Sequence, residues 1–143
     1  MTTPPEKLEG YSVIHATEVS DSSKIAQIPL EPPPIILKPI KLYLVVRSDL
    51  PPAQQAVQAA HALTEYIMHH KDDACSWHST SNTLALLSVP TEDSLKSLAH
   101  KARRKGLRIS EFREPDRFDE LTAVAFEPKA KPLLRNIRLA LRL

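Results

Sequence analysis

The stretch that decides the fold is Leu42-Tyr43-Leu44-Val45-Val46-Arg47-Ser48-Asp49-Leu50-Pro51-Pro52. Five apolar residues, among them two β-branched valines and a tyrosine, precede the first charge, which predicts a buried β-strand. The prolines that follow are tolerated in the first turn of a helix. Residues 53–70 predict that helix through an apolar stripe with a spacing of three or four residues, formed by Ala56, Ala60, Leu63 and Ile67.

Downstream of this βα unit, residues 71–81 are predicted to be a loop, and Thr83–Val89 a second strand. A second helix follows, with Thr91 as N-cap, Gly106 as C-terminal stop and an apolar stripe of Leu95, Leu98, Ala99 and Ala102. Residues 107–112 and 121–126 predict two further strands, which are too close in sequence for a helical crossover. They are expected either to form an antiparallel pair or to flank a loop at the sheet edge. The prediction is a three-layer α/β/α domain with a mixed four-stranded sheet in the order β-α-β-α-β-β-α.

Composition divides the chain near residue 40. Residues 1–40 hold seven of the 13 prolines and a net charge of −2, which indicates a proline-rich arm that is extended or disordered. Such an arm either has no role or docks on a partner protein. The predicted domain occupies residues 41–128, and residues 129–143 form a basic amphipathic tail with five Lys or Arg and no acid.

Several classes of protein are excluded by composition. Two glycines, Gly10 and Gly106, are too few for a P-loop or a dinucleotide-binding turn. The single cysteine, Cys75, excludes an intramolecular disulfide and a zinc site built from cysteines. The spacing of the histidines also argues against a metal site. With no long apolar run and no signal-like start, the sequence predicts a cytoplasmic protein without a membrane segment.

A carboxylate, an amide and an imidazole are predicted to converge at the end of the first strand. Arg47 and Asp49 project to one side of that end, while Gln58 and His61 share a face of the following helix. Such a group is sufficient to orient and deprotonate a water molecule, as in a hydrolytic site. A structural interpretation stays open, in which Arg47 and Asp49 are an ion pair and His61 is a packed, hydrogen-bonded residue.

These two motifs resemble the type-2 peptidyl-tRNA hydrolase family, in which Val-Arg-x-Asp-Leu ends an apolar strand and Ala-Gln-x-x-His-Ala lies on the next helix. The matching residues are Val46, Arg47, Asp49, Leu50, Gln58, His61 and Ala62. Weaker similarity runs through residues 95–107. It ends at Thr122-Ala-Val-Ala-Phe-Glu-Pro128, which is similar to the family's closing strand. The resemblance covers residues 41–128.

The resemblance implies hydrolysis of the ester bond of peptidyl-tRNA or N-blocked aminoacyl-tRNA, without a cofactor. It implies that His61, Asp49 and Gln58 are catalytic. Contacts with substrate or tRNA are expected from seven further residues: Arg47, Gln54, Thr122, Arg103, Arg104, Lys105 and Arg113. Gln54 stands where the family has a lysine, and Arg113–Arg117 stands where the family has Asp-Ala-Gly-Arg-Thr.

The departures leave a second hypothesis open, a catalytically degenerate member that binds tRNA or protein within an assembly. The expected partners are tRNA, a protein that binds residues 1–40, and a second copy of the chain in a homodimer. Residues 41–143 carry a net charge of +4, which is compatible with phosphate contacts but also with a solvated basic face.

Overall fold

The computed structural model describes residues 40–142. Over this range the chain has five strands and four helices: β1 (Lys41–Arg47), α1 (Pro52–His69), α2 (Lys71–Thr80), β2 (Thr83–Val89), α3 (Glu92–Arg104), β3 (Ile109–Glu114), β4 (Glu120–Phe126), α4 (Lys131–Leu134) and β5 (Arg138–Leu139). Short 3-10 turns occupy Pro115–Arg117 and Pro128–Ala130. The predicted arm lies outside the described residues, apart from residue 40. No helix within residues 40–142 has the length and apolar character needed to cross a membrane.

The sheet has the strand order β3-β4-β1-β2-β5. β1 and β2 are parallel and β3 and β4 are antiparallel, as predicted, and β1 also pairs antiparallel with β4. The predicted strand number was wrong, because β5 adds a fifth strand next to β2. β5 has only two residues, so it is too short to produce a detectable alternation of apolar and polar residues.

Helices cover both faces of the sheet, which gives the three-layer α/β/α arrangement. On one face α1 and α2 enclose an apolar cluster that includes Leu42, Leu44 and Val46. On the other face α3 packs against a second cluster that includes Val45 and Val124. Because both faces of β1 are covered, its sequence is a continuous apolar run rather than an alternating one.

The segment predicted to be a loop at residues 71–81 forms α2 instead. Only Ala74 and Trp77 of this helix are buried, so its sequence lacks a clear apolar stripe. Two other features stabilise it: Asp72 and Asp73 lie in the first turn, where the helix dipole favours negative charge, and the Trp77 indole donates to the Thr83 carbonyl at 2.7 Å. The contact that anchors α2 is therefore a side-chain hydrogen bond to the first residue of β2, and not an apolar stripe.

The buried face of α1 also differs from the predicted one. Ala56, Ala60 and Ile67 are exposed, and the helix buries a different set: Gln55, Gln58, Ala59, Ala62 and Tyr66. Alanine is small enough to lie on either face, so alanine spacing does not determine the orientation of a helix. Two glutamines occupy the buried face because their amides are hydrogen-bonded there.

The α3 predictions are confirmed. The Thr91 hydroxyl accepts from the Ser94 amide at 3.2 Å, and the predicted stripe is buried. Gly106 follows the helix with φ of +72°, a conformation that favours glycine. The third strand begins at Ile109, two residues later than predicted.

The orientation of α1 can be tested by placing a glutamate on the buried face of the helix and, separately, on its exposed face. We expect Ala62→Glu to lower the free energy of unfolding by about 3 kcal/mol or more, because it buries a carboxylate in the α1 face of the sheet. We expect Ala60→Glu to change it by less than about 0.5 kcal/mol, because that side chain faces solvent. Urea denaturation followed by the fluorescence of the single tryptophan measures both values. Equal effects of the two substitutions would contradict this orientation.

Candidate active site

Arg47 lies at the centre of a buried ion cluster where β1 ends. Its Nε and Nη2 donate to the two carboxylate oxygens of Asp49, each at 2.9 Å. Its Nη1 donates to Glu120 at 3.0 Å and to the Leu121 carbonyl at 3.3 Å. This arrangement ties the loop after β1 to the first residues of β4.

The cluster keeps Asp49 ionised. Hydrogen bonds from Arg47 hold the pKa of the Asp49 carboxyl below its usual value, against the opposing effect of burial, and the charge of Arg117 acts in the same direction. Bonding to Asp49 likewise raises the pKa of the Arg47 guanidinium. The Asp49 side chain is 41% exposed, whereas that of Arg47 is only 7% exposed. Asp49 is therefore the member of the pair that solvent reaches more easily, and the Arg47 guanidinium is largely enclosed by its partners.

A second, hydrogen-bonded group connects α1 to β3 and β4 through Gln58. The Gln58 side-chain oxygen accepts from the Thr122 hydroxyl at 2.6 Å, and its amide nitrogen donates to the Glu114 carboxylate at 2.7 Å. Because the ionised Glu114 can only accept, the amide nitrogen of Gln58 must face it, which leaves the amide oxygen to accept from the Thr122 hydroxyl. Thr122 is fully buried, so it supports Gln58 rather than contacting a substrate.

A β-bulge directs Thr122 toward Gln58. Phe112 pairs with Ala123 and Arg113 pairs with Leu121, so Thr122 is an extra residue in β4 between consecutive residues of β3. In regular alternation Thr122 and Ala123 would face opposite sides of the sheet. The bulge changes that alternation, which is a common way to aim a side chain at a site.

Glu114 is a site residue that the sequence did not indicate. The Gln58 amide holds the pKa of the Glu114 carboxyl below its usual value, and the Asp116 backbone amide and the charges of His61 and Arg117 add to this effect. The carboxylate is thus anionic and close to the imidazole. Within the sequence, Glu114 lies in an unremarkable charged stretch, and only the pairing of β3 with β4 brings it to Gln58.

His61 lies on the solvent side of this group. Its ring stacks on Phe112, with a centroid separation of 4.4 Å and an interplanar angle of 12°. Among the hydrogen bonds within residues 40–142, none involves the His61 ring. The imidazole is therefore held in place by its neighbour's ring while its nitrogens face solvent.

The remaining predicted residues are not all brought to this site. Gln54 is exposed on the first turn of α1. Arg113 lies beside the site, where it donates to the Asp119 carbonyl at 3.3 Å and pairs with Glu111. Arg103, Arg104 and Lys105 lie at the C-terminal end of α3, away from Glu92 in its first turn, which accepts from the Leu121 amide. Arg103 pairs with Glu111, the carboxylate that also pairs with Arg113.

The site therefore contains two carboxylates that are held anionic, those of Asp49 and Glu114, and a third, that of Glu120, which is bonded to Arg47. It also contains an exposed imidazole and a partly exposed guanidinium, that of Arg117. Arg117 donates to Glu120 at 3.2 Å, and its charge acts on both Asp49 and Glu114. These groups can bind a water molecule, accept its proton and stabilise negative charge on an oxygen. No cluster of metal-ligating side chains is present within residues 40–142.

Comparison with known proteins finds similarity both to a sequence family and to solved structures. The sequence model of the family described as peptidyl-tRNA hydrolase PTH2 matches residues 40–143. A solved structure of a protein of unknown function from Agrobacterium tumefaciens aligns with a TM-score of 0.54 and 8% identity, covering 72% of this chain and 98% of that chain. At that identity the likeness concerns the fold alone. No curated protein matches the chain at a significant level.

The hydrogen bond to Glu114 makes stability depend on pH. Because the pKa of Glu114 is lower in the folded chain than the ordinary value of 4.5, the ionised carboxylate stabilises the fold above that value. This contribution is lost as the pH falls through the lower, folded pKa. We therefore expect the free energy of unfolding to fall more steeply below pH 4.5 in the wild type than in Glu114→Gln. Urea titrations at several pH values measure how the free energy of unfolding depends on pH in each protein. The same dependence in both would contradict the stabilising role of the ionised Glu114.

Proposed function

Because this chain belongs to the peptidyl-tRNA hydrolase PTH2 family, we propose that it hydrolyses the ester bond of peptidyl-tRNA or N-blocked aminoacyl-tRNA and releases free tRNA. The observation that carries the proposal is the Thr122–Gln58–Glu114 chain next to the exposed His61 ring. This group needs no cofactor to activate water.

In this proposal His61 is the general base. Histidine accepts a proton readily near neutral pH, and the stacked, solvent-facing ring of His61 leaves its nitrogens accessible to water. A water oxygen attacks the ester carbonyl carbon while the imidazole takes a water proton. The bond from that carbon to the ribose oxygen then breaks, and the imidazolium gives the proton to that oxygen, which leaves as the free ribose hydroxyl.

The two carboxylates have different roles. Glu114 is fixed by Gln58 and stabilises the imidazolium that forms on His61, which the influence of His61 on the pKa of Glu114 supports. Asp49 is fixed by Arg47 and holds the attacking water through its exposed oxygens. In this assignment Arg47, Gln58 and Thr122 are positioning residues, since each is buried and bonded to other side chains.

Arg117 provides the positive charge that Gln54 cannot supply. It lies on the loop between β3 and β4, its side chain is partly exposed, and its charge acts on both carboxylates of the site. A planar guanidinium suits the negative oxygen that develops on the ester carbonyl. The exposed cations at the end of α3, Arg104 and Lys105, then contact more distant parts of the tRNA backbone.

The role of His61 is tested by comparing His61→Ala with His69→Ala. Both residues are exposed histidines of α1, two turns apart, and His69 lies away from the predicted site. We expect His61→Ala to lower kcat for release of the N-acetyl-amino acid from N-acetyl-aminoacyl-tRNA by about 10²–10⁴-fold, and His69→Ala to leave it unchanged. Equal rates for both variants would exclude the general-base role. No release by the wild type, with tRNA still bound, would indicate a binding module.

The role of Arg117 is tested with Arg117→Gln and, as a control, Arg135→Gln, which removes another exposed cation of the chain. We expect Arg117→Gln to lower kcat by about 10²–10³-fold, since it removes a charge aimed at the developing oxyanion. We expect Arg135→Gln to retain the wild-type kcat. Arg117→Lys should recover part of the lost rate. A change in KM alone would assign Arg117 to substrate binding instead.

A further inference from the structure

Phe118 is 98% exposed, the most exposed of the large apolar side chains in residues 40–142. It lies between β3 and β4, on the loop that begins at Glu114 and carries Arg117. The chain has few aromatic residues, and the chemistry proposed above leaves this ring unused. Single exposed apolar side chains are common on protein surfaces, so the exposure of Phe118 is informative only together with the backbone conformation that fixes it.

The backbone fixes the position of the ring. Phe118 has φ of +54° and Asp119 has φ of +61°, so both are left-handed, a conformation that is uncommon for a bulky residue. Hydrogen bonds hold the loop in this form. The Asp119 amide donates to the Glu114 carbonyl at 3.1 Å, and the Asp119 carbonyl accepts from Arg113 at 3.3 Å. The structure therefore presents the ring outward through an unfavourable backbone conformation.

The loop places the ring at the rim of the predicted site. Its first residue, Glu114, is bonded to Gln58, and the strand that follows it begins with Glu120, which is bonded to Arg47. In the chain, Phe118 follows Arg117 and precedes Asp119. The ring is therefore next along the chain to the cation proposed above to face the reacting group, on a loop that is attached to the site at both ends.

We propose that Phe118 is the stacking platform for the terminal nucleobase of the tRNA acceptor end. The proposal rests on the proposed function, since the scissile ester joins the acyl group to the ribose of that nucleotide. This base is unpaired, is one ribose away from the ester, and is the same in every substrate. An exposed aromatic ring can stack on such a base without a hydrogen-bonding partner. The acyl side chain varies between substrates, so one fixed ring suits the base better.

Binding is tested without any reaction. The probe is an uncharged RNA minihelix of the acceptor stem with 2-aminopurine as its terminal base, whose fluorescence is quenched by stacking. We expect quenching by the wild type and by Phe118→Tyr, and its loss with Phe118→Asn. Asparagine tolerates positive φ, so this variant removes the ring without straining the loop. Met68→Asn removes an exposed apolar side chain from α1 and is the matched control.

Turnover gives a second, independent measurement. With N-acetyl-aminoacyl-tRNA we expect Phe118→Asn to raise KM about tenfold while kcat stays within about twofold, which is a typical consequence of losing one stacked base. Phe118→Tyr should restore KM. If the wild type quenches the 2-aminopurine fluorescence and Phe118→Asn quenches it to the same extent, the inference is overturned. A KM effect that depends on the acyl group, with quenching retained, would assign the ring to the acyl side chain and also overturn it.

The two proposals fail in distinguishable ways. Quenching that depends on Phe118 in a protein with no turnover would support the stacking site and contradict the proposed hydrolysis. Turnover that depends on His61, with the same KM in Phe118→Asn as in the wild type, would support hydrolysis and overturn the stacking site.

Discussion

The hydrogen bond from the Thr122 hydroxyl to the Gln58 side chain, at 2.6 Å, is the contact on which the arrangement of the site depends. It joins α1 to β4 at a place where an ordinary α/β domain would have only apolar contacts. The amide nitrogen of Gln58 donates to Glu114, so this bond completes the pairing of the Gln58 side chain. Both Thr122 and Gln58 are buried, so removing the Thr122 hydroxyl would leave the Gln58 oxygen without its donor, at a cost of about 1–3 kcal/mol.

Hydrogen bonding to a fixed partner also sets the charges at the site. Asp49 and Glu114 are both kept anionic by donors that are fixed in place, Arg47 for the first and Gln58 for the second. The two carboxylates are linked electrostatically by Arg117, which acts on both. A site preorganised in this way spends little free energy on reorientation when charge develops during a reaction.

This organisation accounts for the chain's departures from its family. The lysine position is occupied by Gln54, and the Asp-Ala-Gly-Arg-Thr segment is replaced by a short, proline-containing loop. We infer that the same loop compensates for both changes, because it carries Glu114 and Arg117 at the site and Phe118 at its rim. Exchanging the residues of this loop leaves the sheet intact, since β3 and β4 are paired as far as Glu114 and Glu120.

The sequence by itself determined the elements whose signal is local and periodic. The apolar run of β1, the capped helix α3 and the closely spaced antiparallel pair β3 and β4 are readable because burial on the sheet requires these patterns. The family resemblance likewise follows from two short motifs in a fixed order. Local signals were insufficient for three other features. One tryptophan anchors α2, two glutamines lie on the buried face of α1, and β5 has only two residues paired with β2.

The candidate site was likewise predicted in part from the sequence and decided in part by the tertiary structure. Sequence identified Arg47, Asp49, Gln58 and His61, because adjacent elements of one βα unit carry them. Only the tertiary structure decided that Arg47 is buried as a support for Asp49, and that Glu114 joins Gln58 across 56 residues of chain. The physical reason is the pairing register of β3 with β4. A single bulge at Thr122 sets which side chains meet α1, and one extra residue in a strand leaves no periodic trace in the sequence.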